Sequence, residues 1–240
     1  MSDRARMASQ FYIEDHAVIY GLLLQQAEAL NGAEGEKASE KATVLYARER
    51  GLRMAMRCVA DGQPLTPRNY LNYGEWIDDR QWSSFQPAGI APFTLDALKC
   101  GWNESWKKHG LEKYGQIYCT WIDKELVRAF NPENELLIDG MLTHGADKCI
   151  FTFVGADFAG DDDLARENEM RVDLRKRTLK DFLYHTGHIL SALRRTYQLE
   201  LGLPKATAIV DKALDEYEAL FGKDKREALV EESMQNYSTI

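Results

Sequence analysis

The chain has 240 residues, of which 45% are hydrophobic and 28% are charged, and 38 acidic residues against 30 basic ones give a net charge of −8. These proportions are typical of a soluble globular protein and exclude a disordered, collagen-like or coiled-coil chain. The acidic balance argues against nucleic acid as a partner, since nucleic-acid binding needs a basic footprint. No apolar run approaches the roughly 20 residues of a membrane span, and no secretory leader is recognisable, so we expect a cytoplasmic protein without a membrane partner.

The first third of the sequence has helical periodicity. Apolar residues recur at helical steps over Tyr12–Leu30 and predict a helix that ends at Asn31-Gly32. A second helix is predicted over Lys37–Asp61, and Pro67 is expected to begin a short turn or helix. The segment Asp78–Ala88 is expected to be a loop.

The middle third changes to the period of a sheet. Phe93–Cys100 alternates as a strand does, whereas Trp102–Arg128 returns to a helical pattern that Pro132 should end. Two short apolar runs follow, joined by a segment with a glycine that can adopt positive φ, and they predict a β-hairpin. The runs are Leu136–Leu142 and Cys149–Val154, and the glycine is Gly145.

The last third is helical again, with predicted helices over Leu164–Leu201 and Lys205–Leu220 and a short one before the C-terminus. The sequence therefore predicts a single α+β domain, in which a small, mainly antiparallel sheet is enclosed by N- and C-terminal helices. Its three parts are a helical arm at 12–76, a strand–helix–hairpin core at 89–155 and a second helical arm at 161–235.

Four cysteines, Cys58, Cys100, Cys119 and Cys149, lack C-x-x-C spacing and are expected to be thiols. On the predicted central helix, Cys119 and Asp123 are four residues apart, so their side chains share a face. This pair fits a nucleophile with a base. A buried thiol beside a carboxylate that pairs with an arginine explains it as well.

Arg50, Arg53 and Arg57 fall within two turns of helix and could clamp a carboxylate if they are partly buried. Solvent-exposed arginines are the alternative. Tyr73 and Glu75 belong to an aromatic stretch with one acid, which could line a small-molecule pocket or pack in the core.

Three histidines offer a second group of candidates. His185 and His188 are three residues apart on a predicted helix and could bind a divalent metal together with His16. Ordinary helix-surface histidines explain the same spacing. No cofactor is expected, and a divalent metal is left open.

Several motifs resemble the L-2-amino-thiazoline-4-carboxylic acid hydrolase family over about residues 12–155. The motifs are Arg50-Gly-x-Arg-Met-Ala55, Tyr73-Gly-Glu-Trp76, Cys100 at a strand end, Tyr118-Cys-x-x-x-Asp123, Phe130-Asn-Pro132 and Leu142-Thr-x-Gly-x-Asp-x-Cys149. The hairpin and its cysteine also resemble 4-vinyl-reductase-type ligand-binding domains.

The resemblance implies a hydrolase that opens a small cyclic amidine- or thiazoline-type C–N or C–S bond in a substrate with a carboxylate. We assign Cys119 as nucleophile and Asp123 or His144 as acid/base, with Cys100 and Cys149 nearby. Arg50 or Arg53 would bind the carboxylate, and Tyr73 and Glu75 would contact the substrate. The alternative is a non-catalytic small-molecule or metal-binding module that serves as a sensor or accessory. A homo-oligomer is left open.

Overall fold

The computed structural model describes residues 3–78 and 80–238. The helices are α1 (Asp3–Ala8), α2 (Ile13–Ala60), α3 (Pro67–Asn72), α4 (Gly101–His109), α5 (Glu112–Phe130), α6 (Asp161–Thr178), α7 (Phe182–Leu201), α8 (Leu203–Phe221) and α9 (Lys223–Glu232). The strands are β1 (Ser84–Ile90), β2 (Phe93–Lys99), β3 (Glu135–Asp139) and β4 (Cys149–Val154). No helix within the described residues is long and apolar enough to cross a membrane.

These strands form an antiparallel sheet in the order β1-β2-β4-β3. At its centre Ala97 of β2 pairs with Cys149 of β4, and on the other side Leu136 of β3 pairs with Phe153. Side chains two apart point to the same face of a strand, so Cys149 and Phe153 share the face that packs into the core of the sheet. The predicted α+β class is confirmed. The predicted hairpin is also present, with Gly145 at a φ of 87° in its connection.

Strand β1 lies where the sequence predicts a loop. It forms an edge of the sheet, and most of its side chains are exposed. Pro87 cannot donate a hydrogen bond to the ladder, and the register with β2 shifts next to it. An edge strand with a proline and without a buried face lacks the alternation that reveals a strand in sequence.

The helices follow the predicted breaks with two differences. The predicted break at Gly32 is present inside α2, where its φ of 55° and ψ of −134° are not helical and form a kink between two helices. The predicted helix Trp102–Arg128 is divided into α4 and α5 at Gly110, which has a φ of 68°. The predicted segment Leu164–Leu201 is divided into α6 and α7. Helix α5 ends at Phe130, as the following Asn131-Pro132 predicts.

The contacts within the chain group into two compact units. The described residues of the first unit are 3–46, 101–121 and 181–237, and those of the second are 47–78, 80–100, 122–180 and 238. In the first unit α7, α8 and α9 pack against one another. The second unit contains the sheet and its core, formed by Phe93, Val127, Leu136, Phe153, Ala156 and Phe158. The single domain stays a prediction.

Candidate active site

Arginines of α2 and an aspartate of α5 meet in the second unit. Between Arg50 and Arg53, Gly51 allows α2 to pass close to α5, since a Cβ at this position would lie 2.3 Å from the backbone oxygen of Leu126. Any side chain here would push the helices apart. The glycine therefore brings Arg50 towards the part of α5 that carries Asp123.

Three arginines converge on the carboxylate of Glu75. Arg53 donates two hydrogen bonds to it, from Nε at 2.7 Å and from Nη2 at 2.8 Å. Arg57 donates from Nη1 at 2.6 Å, and Arg50 from Nε at 3.4 Å. We call Arg50, Arg53, Arg57 and Glu75 the arginine–glutamate cluster. Glu75 thus forms ion pairs with all three arginines in the protein interior.

The carboxylate held by the Arg53 fork is therefore part of the chain itself. The side chains of both Arg53 and Glu75 are fully buried. Their predicted roles were contacts to a substrate, but in this structure they bind each other. Arg50 differs from Arg53 because it contacts Glu75 through one long hydrogen bond and its charge also acts on Asp123.

The carboxyl of Asp123 is a weaker acid than that of an ordinary aspartate. Burial raises the pKa of its carboxyl to about 6, and the Arg50 guanidinium opposes this shift. The hydroxyl of Tyr70, on α3, interacts with the same two charges. Burial and Asp123 raise its pKa, whereas Arg50 lowers it. Asp123 as a whole residue is half-buried. A carboxyl that titrates near neutral pH can accept and return a proton.

Cys149, at the start of β4, also interacts with Asp123. Its thiol sulfur accepts a hydrogen bond from the Leu142 N–H at 3.3 Å. Burial raises the pKa of the thiol most, the Leu142 bond lowers it, and the charge of Asp123 raises it. The net direction is upward from a value of 9.0, so Cys149 is a protonated thiol at neutral pH.

Comparison with known proteins identifies the family. A sequence model of the L-2-amino-thiazoline-4-carboxylic acid hydrolase family matches residues 11–153. The chain belongs to this family. The matched segment contains the arginine–glutamate cluster, Tyr70, Asp123 and Cys149. No curated protein and no solved structure shows significant similarity to the chain.

The other cysteines of this hydrolase-family chain are placed differently from Cys149. Cys119 lies on α5 in the first unit, where its thiol interacts electrostatically with Tyr20. Cys100 follows β2 and is half-buried. The buried Cys58 donates to the backbone oxygens of residues 63 and 64, and burial raises the pKa of its thiol to about 11.

Two predicted site residues have contacts away from Asp123. His144 is exposed in the connection between β3 and β4, where its Nδ1 lies 3.2 Å from the Thr143 hydroxyl. The Tyr73 hydroxyl donates to Asp61 at 2.6 Å, and Arg177 donates to the same carboxylate. Tyr73 thus ties the segment after α3 to the end of α2.

The histidines considered for a metal lie in the first unit. Trp102 donates from its indole Nε1 to His16 Nδ1 at 3.0 Å, and His16 Nε2 lies 2.9 Å from the Tyr46 hydroxyl. An indole N–H can only donate, so His16 is a neutral imidazole with its proton on Nε2. His185 and His188 are buried on α7. Within the described residues, no group of three or more His, Cys, Asp or Glu side chains is arranged to hold a metal ion.

The sequence includes Arg57 in the possible carboxylate clamp, but it does not place Tyr70 beside Asp123. Arg57 continues the helical spacing of Arg50 and Arg53, which is the signal for its place in the cluster. Tyr70 carries no comparable signal, since its position beside Asp123 depends on packing between α3 and α5 in space.

Proposed function

We propose that this protein hydrolyses the ring of a 2-amino-thiazoline-4-carboxylate, with Asp123 as the group that moves the proton. The family supplies the substrate class. The observation that carries the proposal is the Asp123 carboxyl, whose pKa of about 6 suits both directions of proton transfer at neutral pH. The substrate identity and the reaction belong to the proposal.

The reaction needs one water and no external oxidant or reductant. The ring carbon between nitrogen and sulfur is electrophilic, and ionised Asp123 removes a proton from the water that attacks it. The tetrahedral carbon then releases either the ring sulfur or the ring nitrogen, and Asp123 returns its proton to that leaving atom. Breaking the C–S bond yields a thiol and a urea, whereas breaking the C–N bond yields an amine and a thiocarbamate. The proton balance closes in both cases.

Arg50 is the residue we assign to the substrate carboxylate. Arg50 is the member of the arginine–glutamate cluster whose charge acts on Asp123. A guanidinium fork binds a carboxylate through two parallel hydrogen bonds. With its carboxylate on Arg50, the substrate would present its ring near Asp123. Arg53 and Glu75 support this arrangement by fixing α2 to the segment after α3.

In this proposal the nucleophile is water and not a cysteine. Cys149 is a protonated thiol, so water is the better nucleophile in the second unit. Cys119 as nucleophile, with Cys100 and His144 as further site residues, stays a prediction that Cys119→Ser and His144→Ala test directly. A cytoplasmic location and a homo-oligomer also stay predictions.

The decisive experiment measures turnover of L-2-amino-thiazoline-4-carboxylate by the full chain, with separate assays for new thiols and new amines. We expect turnover, and a loss of about 100-fold or more in kcat for Asp123→Asn, in the range of general acid–base catalysis. Asp139→Asn is the matched control, because Asp139 is an exposed aspartate of β3. Absence of turnover by the parent protein, with binding retained, would favour the non-catalytic module instead.

A further inference from the structure

Helix α6 directs two arginines inward. Its buried residues are Glu167 and Thr178. Arg171 and Arg175 lie between them at steps of four, four and three residues, so all four side chains share one face of the helix. Charged residues normally occupy the solvent face of such a helix, and an arginine on the buried face needs an acceptor.

The described residues supply no adequate acceptor for this Arg171–Arg175 pair. Nη2 of Arg171 and Nε of Arg175 are buried without a hydrogen-bond partner. Arg171 donates from Nε to Asn72 at a long 3.4 Å, and neither arginine forms an ion pair with a described residue. A buried donor left without an acceptor is unfavourable, more so when it is charged.

The carboxylate whose charge acts on Arg171 already has other partners. Glu167 attracts Arg171 electrostatically, but its oxygens accept hydrogen bonds from Arg68, at 2.6 Å, and from Asn72. The two arginines repel each other: burial and the charge of Arg175 both lower the pKa of Arg171, and burial lowers the pKa of Arg175. An anion between them would supply the missing acceptor and offset this repulsion.

We propose that the Arg171–Arg175 pair is a binding site for a small oxyanion, either a carboxylate or a phosphate group. Both residues are half-buried, so part of each remains open to solvent. Two guanidinium forks one turn apart match the several acceptor oxygens of such a group. The pair lies beyond residue 153, outside the segment that the family model matches, and it does not depend on the proposed hydrolysis.

Thermal unfolding of the full chain tests this site in inorganic phosphate and, separately, in acetate, with ionic strength matched by sodium chloride. We expect one or both anions to raise the Tm by about 3–6 °C at ten times the dissociation constant. The rise should disappear in Arg171→Gln and in Arg175→Gln. Arg166→Gln should retain it, because the Arg166 side chain is 73% exposed on the same helix. A rise in phosphate alone would indicate a phosphate ligand, and a rise in acetate alone would indicate a carboxylate ligand.

A second readout needs no anion. In chloride alone, Arg175→Gln should be at least as stable as the parent protein, because it removes an unpaired charge from the neighbourhood of Arg171. The proposal is overturned if neither anion raises the Tm of the parent, if the rise persists in both glutamine variants, or if Arg175→Gln destabilises the protein in chloride.

Discussion

Each unit contains a buried polar network, and the two networks differ in kind. In the first unit, Ser39 and Thr43 of α2 pair with the hydroxyls of Tyr197 and Tyr20, at 2.8 and 2.9 Å. We call these four residues the hydroxyl network. It is neutral, and its members are hydrogen-bonded, as expected of a network that specifies packing. In the second unit, the arginine–glutamate cluster is held together by ion pairs.

This difference separates a structural polar core from a candidate site. A neutral, satisfied network needs nothing further from outside the chain. The arginine–glutamate cluster is charged, and the charge of its Arg50 acts on Asp123, whose pKa burial raises to about 6. Chemistry is therefore expected in the second unit, whereas the hydroxyl network should affect stability alone.

The largest expected effect is at Glu75. Glu75→Gln removes the carboxylate that the three arginines share, including the charge that pairs with the buried Arg53. We expect a loss of about 3–5 kcal/mol in the free energy of unfolding, measured by urea denaturation. The exposed Glu133 lies in the same unit, and Glu133→Gln should change stability by less than about 0.5 kcal/mol. Equal effects of the two substitutions would show that the cluster does not stabilise the unit.

The next effect is the pH dependence of Asp123→Asn. The folded carboxyl has a pKa of about 6 against 3.8 unfolded, so between these values the folded state binds more protons and the parent loses stability as the pH rises. The asparagine variant lacks this loss. Its stability relative to the parent should therefore increase from pH 4 to above 6, by at most about 3 kcal/mol. A constant difference over this range would mean that the pKa of Asp123 is not raised.

The smallest effect is expected in the hydroxyl network. Tyr197→Phe removes one neutral hydrogen bond, while Ser39 keeps its bond to the backbone oxygen of Gly35. We expect a loss of about 1 kcal/mol that is the same at pH 5 and pH 8, because no charge is involved. A pH-dependent loss would contradict the description of this network as neutral.

Sequence patterns predicted those parts of the fold that depend on local periodicity. Cys149–Val154 has the bounds expected from alternation, and Pro132 and Gly145 mark the helix end and the hairpin connection. Such patterns do not predict strand β1, because its pairing with β2 does not bury a face. The segment is a strand because it pairs with β2.

The candidate site was predictable in its residues but not in their partners. Helical spacing places Arg50 and Arg53 on one face of α2, yet the partner of Arg53 lies 22 residues away, after a turn and a short helix. Charge alone does not tell an arginine that binds a substrate from one that binds Glu75. The raised pKa of Asp123 likewise depends on burial, which is set by packing in space and not by local sequence.

The most direct test of the account is the pH profile of kcat/KM for L-2-amino-thiazoline-4-carboxylate, which reports the ionisation of the free enzyme. If Asp123 is the base, the rate should rise with pH, with a midpoint near its pKa of about 6, and then level off. Asp123→Asn should abolish this acid limb along with most of the rate. A parent profile that is flat between pH 4.5 and 8, or an acid limb that persists unchanged in Asp123→Asn, would contradict the account.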